Sequence, residues 1–273
     1  MTREAELGRA LAALRERVTR AAAAAGRDAA EVELLPVTKF FPASDVVALH
    51  RLGCSAFGES RDQEAAAKAG EVGALVGGAA IRWHMIGRIQ RNKARSVAQW
   101  AYAAHSVASP KVIAALDRAA AEALDDGRRA APLRVYLQVS LDGDEARGGV
   151  DVAAAARIDE LCGAVDGAPG LEFVGLMAIP PLNSDPGEAF ARLEQERDRV
   201  QRDYRQRLGL SAGMSGDLET AIRHGSTCVR VGTALLGSRP LTSPAVVTRV
   251  TPSSQTPNSP NFPESSPHEG SSQ

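Results

Sequence analysis

GLSAGMSGDLETAIRHGSTCVRVGT, residues 209–233, decides the fold. It opens on a short apolar run (209–215), passes through a helical stretch near 217–223, and closes on a second apolar run (227–233). Short apolar runs bounded by Gly and Ser read as strands, and strand, helix and strand in succession imply a parallel pair. The same unit recurs toward the N-terminus. LEFVGLMA (171–178) precedes a long charged helix over 187–207, and LRVYLQVS (133–140) precedes a helix over 151–165. WAYAAHS (100–106) leads to a helix with Ser109 at its N-cap and Pro110 at its first position. IRWHMIG (81–87) leads to a short helix near 91–98, and CSAFGE (54–59) leads to RDQEAAAKAG. VELLPVT (32–38) leads to a helix capped by Ser44 and stopped by Gly53. An amphipathic helix, with Leu7, Leu11, Leu14 and Val18 at helical spacing, opens the chain.

Eight strand candidates alternating with helices imply an α/β fold of one closed (β/α)8 TIM-type barrel. A doubly wound open sheet competes with it, but no GxGxxG turn follows the first strand. Residues 251–273 hold seven Ser and five Pro, too little apolar surface to offset their ordering entropy. The expected division is a barrel with an N-terminal helix over 1–237 and a Ser/Pro-rich disordered tail over 238–273.

Composition excludes several classes. The 273 residues include 32 basic and 33 acidic side chains, a formal net charge of −1, which leaves no footprint for nucleic acid or an anionic membrane. The longest uncharged run, between Arg95 and Lys111, contains Gln99, His105 and three serines, so no span of a bilayer is expected. Cys54, Cys162 and Cys228 are too scattered for a zinc site and odd in number for a disulfide framework. No metal site is expected. The N-terminus is charged from Arg3 onward and lacks a signal-peptide core, so a cytoplasmic location is expected.

In such barrels chemistry collects where strands end. The eight strands deliver Lys39, then Glu59 and Ser60, His84, His105 and Ser106, Gln138 and Ser140, Met177, Gly213-Met214-Ser215, and Arg230 followed by Gly232 and Thr233. Ser215-Gly216-Asp217 opens a helix, whose free N–H groups favour an anion. Gly232 lets backbone approach a ligand closely. Singly, Ser215 reads as an N-cap and Gly232 as a turn. Together, after the last two strands, they read as a phosphate cup.

Only four of the 32 basic residues are lysine: Lys39, Lys68, Lys93 and Lys111. Arginine cannot act as an amine nucleophile, whereas lysine forms Schiff bases. Strand eight borders strand one in a closed barrel, so Lys39 falls beside the cup, where a phosphate-bearing aldehyde would need an amine. Arg230 points inward between Val229 and Val231 and needs an acceptor, which a pyridine nitrogen would supply. Lys68 reads as solvated charge on an Ala-rich helix. Lys93, in the QRNK segment, reads first as a helix-surface group and second as one facing the site mouth, and Lys111 reads as an exposed group in a helix first turn.

PVTKF, FGESRDQE, WHMIGRIQRNK, HSV, GLMAIPP and LSAGMSGDLETAIRHGSTCVRVGTALLG, in this order between Glu33 and Gly237, together resemble the pyridoxal phosphate homeostasis proteins. The resemblance implies a fold-type III barrel that holds pyridoxal 5′-phosphate (PLP) as an internal aldimine, without the C-terminal β-domain of alanine racemases. It places the cofactor lysine on Lys39, the phosphate contacts on Ser215, Gly232 and Thr233, and the pyridine-facing arginine on Arg230. Met214, His84 and Ser60 fall in the cofactor-binding segments. His84 reads equally as a core histidine bonded to backbone. The sequence departs from the family pattern at Ser60, Ala108, Ser140 and Ala212, where polar or larger residues are usual.

Two function classes follow. One is a carrier that stores, buffers or delivers PLP, with no catalytic residue and with apo PLP-dependent enzymes as candidate recipients. The other is a PLP-dependent racemase or decarboxylase. Two-base racemisation needs a proton donor on each ring face, and Tyr102, Tyr136 and Tyr204 all fall within the barrel. A missing general acid costs about 10²–10⁴-fold in rate, so the carrier is the expectation. A Schiff-base aldolase would place its lysine on a middle strand instead. The lack of a second domain points to a monomer.

Overall fold

The computed structural model of this chain describes residues 2–181 and 184–238. The tail expected from 238 onward lies outside the described residues after Ser238. The elements in order are α1 (Arg3–Ala24), β1 (Glu33–Pro36), α2 (Ala43–Arg51), β2 (Ala56–Glu59), α3 (Asp62–Leu75), β3 (Arg82–Met85) and α4 (Ala94–Trp100). Then come β4 (Ala103–Val107), α5 (Pro110–Asp125), β5 (Leu133–Ser140), β6 (Val150–Asp151), α6 (Ala155–Asp166) and β7 (Leu171–Met177). The last are α7 (Pro186–Gln201), β8 (Gly209–Ser211), α8 (Leu218–Arg223), β9 (Cys228–Val231) and α9 (Thr233–Leu236).

All pairings are parallel, in the order β1-β9-β8-β7-β5-β4-β3-β2. One bridge, Val37 with Gly58, joins the two ends of that path and closes the barrel. The Thr38 amide donates to the Gly58 carbonyl there at 3.0 Å. The eight expected strands are β1–β5 and β7–β9. The two-residue β6, paired with the end of β5, carries no apolar run and was invisible to pattern.

Burial explains the helices. Leu7, Leu11, Leu14 and Val18 are buried in α1, which packs against α2, α8 and α9. Such a stripe at 3.6-residue period is what folds a surface helix onto a core. Gly53, at φ +87°, ends the chain segment after α2, as expected. Three details differ from expectation. Pro42, and not Ser44, is the N-cap of α2, because its fixed φ already suits the entry to a helix. α7 stops at Gln201, whose amide donates to the carbonyls of Tyr204 and Gln206 and accepts from Leu208 N. That side chain organises 202–208 as a loop. β8 ends at Ser211, two residues before Gly213.

Lys68 corrects the sequence reading most sharply. It is 7% exposed, and its ammonium lies 2.7 Å from Oε1 of the fully buried Glu59. It is a buried ion-pair member, not a solvated charge. The alanines around it give α3 no polar face, so pattern alone could not show which side is inward.

Candidate cofactor-binding site

Lys39 lies two residues beyond Val37, the residue of the closing bridge. It is half-buried, and its Nζ stands 5.9 Å from the Phe40 ring centroid. The Val37 amide donates to Val231 O at 2.8 Å, so the end of β1 is sewn to the end of β9. Gly232 follows directly, so close that a Cβ there would fall 3.6 Å from Val37 O. Lys39 and the Gly232 loop therefore belong to one end of the barrel and to adjacent strands.

The second loop of the cup leaves β8. Gly213 has φ +92°, and a Cβ there would lie 2.5 Å from the Cβ of Ala221, so only glycine makes this turn onto α8. The Ser215 hydroxyl accepts a hydrogen bond from Ala234 N at 3.2 Å, which ties the two loops together. Among the described residues no hydrogen bond occupies the amides of Ser215, Gly216, Gly232 or Thr233. Unoccupied amides around one hydroxyl are the donor set an anionic oxygen needs. Arg17 of α1 braces the cup from outside, donating to Ser215 O at 3.1 Å and to both carboxylate oxygens of Glu219. Met214 is 38% exposed on the same loop.

Arg230 is 5% exposed and projects inside the barrel. Its acceptors are protein groups: Nη1 donates to Ser211 Oγ at 2.6 Å and Nη2 to Ala178 O at 3.0 Å. Burial lowers its pKa, opposed by Cys228, Asp217 and Tyr136. Ser211 continues the chain, with Oγ 2.7 Å from His105 Nδ1. His105 Nε2 lies 2.9 Å from His84 Nδ1. The line His84, His105, Ser211, Arg230 thus crosses the barrel from β3 to β9. His84 is 2% exposed, and its Nδ1 bonds a side chain, His105, and not backbone. Burial, with Arg82 and Arg134 nearby, pushes its pKa down to about 3. His105 is pushed well below the usual imidazole value by burial first, then by His84 and Arg230. His84 Nε2 is buried with no hydrogen-bond partner among the described residues, an open polar atom inside the barrel.

Ser60, half-buried after β2, packs its backbone against Gly87, where an added Cβ would fall 2.1 Å from Ser60 O. It also lines a cleft of about 1210 Å³ with Met85, Ser106, Ala108 and Gln138. Lys39, Ser215, Arg230 and Gly232 do not line that cleft. Of the expected residues, the structure brings Lys39, Ser215, Gly232 and Thr233 to one rim. Arg230 and His84 stand on one hydrogen-bonded line within the barrel, and Ser60 lies on the neighbouring cleft. Pattern missed Ser211, His105 as a member of that line, and Arg17. Their only sequence signal was alternation on β4 and β8 and the heptad-like spacing of α1.

The residues fit a phosphate-bearing aldehyde: a primary amine on the rim, a cup of open amides, and unpaired donor or acceptor capacity inside. A model of the family "Alanine racemase, N-terminal domain" matches residues 10–240. The pyridoxal phosphate homeostasis protein of Mycobacterium tuberculosis is 58% identical over 248 residues, covering 89% of this chain and 96% of that protein. Its Escherichia coli counterpart is 34% identical, covering 84% of this chain and 95% of that protein. The structure of PipY from Synechococcus elongatus with PLP bound superposes with a TM-score of 0.70 at 32% identity, covering 85% of this chain and all of that one. An alanine racemase from Streptomyces coelicolor shares the fold at 17% identity and a TM-score of 0.62, and the match spans 58% of its length. By fold, site and similarity, this chain belongs to the pyridoxal phosphate homeostasis protein family, within the alanine racemase N-terminal domain group.

Proposed function

We propose that this chain holds PLP in cellular PLP homeostasis, attached through Lys39, and releases it without turning over a substrate. The observation that carries the reading is the junction of β1 and β9, which sets the Lys39 segment against the Gly232 loop and its tied partner Ser215. When bound, PLP supplies an aldehyde carbon that condenses with a primary amine, losing water. The chain's own groups do the rest. Ser215, Gly232 and Thr233 receive the phosphate through hydroxyl and amides. Arg230 offers a fixed positive donor, held by Ser211 and Ala178 O. A ring nitrogen facing arginine stays unprotonated, which makes the ring a weak electron sink. Met214, His84 and Ser60 are proposed as further contacts around the ring.

The carrier reading is supported by where the tyrosines sit. Tyr136 packs against His105 inside the barrel, with ring centroids 4.5 Å apart, and burial raises its pKa. Tyr102 lies between Arg82 and Arg134. Tyr204 packs on Phe173. These contacts engage all three tyrosines with other side chains of the barrel, which supports the carrier over racemase or decarboxylase turnover. Residues 1–237 are proposed as the PLP-holding unit, cytoplasmic and monomeric, with apo PLP-dependent enzymes as recipients. Among the described residues no helix is long and apolar enough to cross a membrane.

Borohydride reduction of the PLP-treated protein, followed by peptide mapping, tests the attachment. A label on the peptide containing Lys39, lost in Lys39→Ala, is expected. A protein that stays colourless and unlabelled overturns it, and sustained racemisation of free alanine at ordinary enzyme rates overturns the carrier reading.

A further inference from the structure

Lys68 is a buried ammonium with a job the cup and the barrel interior do not explain. It donates to Thr38 O at 2.9 Å and to Glu59 Oε1 at 2.7 Å, and it forms an ion pair with Glu64 Oε1 at 3.5 Å. Each of those oxygens also touches the segment around Lys39. Thr38 is the residue before it, and the Thr38 hydroxyl donates to the same Glu59 Oε1 at 2.7 Å. Glu64 Oε1 accepts from the amide of Phe40, the residue after it, at 2.9 Å. The peptide units on both sides of Lys39 are thereby fixed to one cluster on β2 and α3.

The fixed backbone is an uncommon one. Phe40 has φ +70°, the only positive φ of a non-glycine among the described residues. A bulky side chain holds that conformation only where its surroundings over-determine it. Here the surroundings are the Glu64 carboxylate on the amide and the Arg61 guanidinium, whose Cζ stands 5.2 Å from the Phe40 ring centroid. Burying Lys68 and Glu59 together is expensive unless both are bonded, and breaking one side leaves a stranded charge.

We propose that Lys68, Glu59 and Glu64 are positioning residues that set the backbone on both flanks of Lys39 and so present its amine to the phosphate-bearing aldehyde. The inference rests on the reading of Lys39 as the cofactor amine. Lysine is required at 68 for geometry. An ammonium is a compact point with three donors and can serve three oxygens around it, whereas a guanidinium is planar and longer by its fork. The cluster holds the residues before and after Lys39, Thr38 through its carbonyl and hydroxyl and Phe40 through its amide, so it acts on where the amine stands.

The test uses the full chain and PLP itself. Three variants are compared with the wild type: Glu64→Ala, Glu64→Gln, and the pair Lys68→Met with Glu59→Gln, which removes both buried charges together. Folding is followed by far-ultraviolet circular dichroism, PLP affinity by absorbance titration, and seating of the ring by visible circular dichroism of the bound cofactor. The double variant is expected to bind PLP about tenfold more weakly, with a reduced visible dichroic band, because preorganisation of the amine is lost. Glu64→Ala is expected to shift the same two readouts in the same direction. Glu64→Gln, whose amide oxygen still accepts from Phe40 N, is expected to restore them. Wild-type affinity and an unchanged visible band in both the double variant and Glu64→Ala overturn the proposal. If the double variant does not fold, the contrast between Glu64→Ala and Glu64→Gln decides alone, since Glu64 is partly solvent-exposed and its loss strands no buried charge. A borohydride label in the wild type that maps away from Lys39 overturns instead the site reading beneath it.

Discussion

His84 Nδ1 and His105 Nε2 stand 2.9 Å apart inside the barrel, with both rings held neutral by burial, so one proton lies between them. Arg230 can only donate, so Ser211 Oγ accepts from it, and the hydroxyl proton can then go to His105 Nδ1. With that proton donated to His105 Nδ1, His105 carries its own on Nε2, facing His84 Nδ1, and His84 carries its own on Nε2, the atom without a hydrogen-bond partner among the described residues. Nitrogen-15 NMR is expected to report both rings as Nε2–H tautomers at neutral pH. A pair of Nδ1–H shifts would reverse the order.

The same two rings make stability depend on acid. An unfolded histidine takes up a proton below about pH 6.5, whereas folded His84 does so only near pH 3. Between those values the unfolded chain binds more protons, so folding weakens as pH falls, by about 1.4 kcal/mol per pH unit for each ring. Glu59 acts oppositely, because burial raises its carboxyl pKa, although Lys68 and Thr38 pull it down. Comparing wild type with His84→Gln cancels Glu59. Chemical denaturation at pH 4 to 6 is expected to show a pH slope smaller by one proton in the variant. Equal slopes would mean that His84 is not buried neutral.

The barrel was legible because each strand is a short apolar run and each helix a separate stripe, so eight units could be read from period alone. Lys39 and the Ser215 and Gly232 loops were legible because strand ends are set by topology. The line from His84 to Arg230 was not. Ser211 and His105 belong to strands β8 and β4, far apart in sequence, and only closure of the barrel brings them within bonding distance. Lys68 was misread for a related reason. Its partner Glu59 ends β2 and its other acceptor, Thr38, lies in the loop after β1, and a lysine among alanines carries no mark of burial.

Arg17 is expected to act on the phosphate and not on the ring. Its guanidinium links α1 to the Ser215 carbonyl and to Glu219, on a partly exposed face where ion pairs add little stability. Arg17→Met keeps the packing of the stem and removes the brace. Thermal midpoint is expected to move little, while affinity for PLP falls by about fivefold, the loss of roughly one hydrogen bond's net contribution. Pyridoxal, which lacks the phosphate, should bind both proteins alike. An equal loss for both ligands would show that the brace shapes the whole site.

Ser215 offers the sharpest separation of phosphate recognition from fold. It is half-buried, and its hydroxyl joins the two cup loops through Ala234 N. Ser215→Ala removes that link and one candidate phosphate contact, and a severalfold loss of PLP affinity is expected, matching about 1 kcal/mol. Ser215→Asp keeps an acceptor for Ala234 N but sets a carboxylate where the phosphate would sit. A carboxylate is tolerated at the start of a helix, so the fold should keep its thermal midpoint. Two like charges sharing one cup are not tolerated, so PLP capture should fall by about 100-fold or more, a loss of some 2.7 kcal/mol. Pyridoxal should still react at Lys39 in the same variant, seen as borohydride-trapped label. If Ser215→Asp binds PLP as well as Ser215→Ala does, the phosphate does not enter this cup.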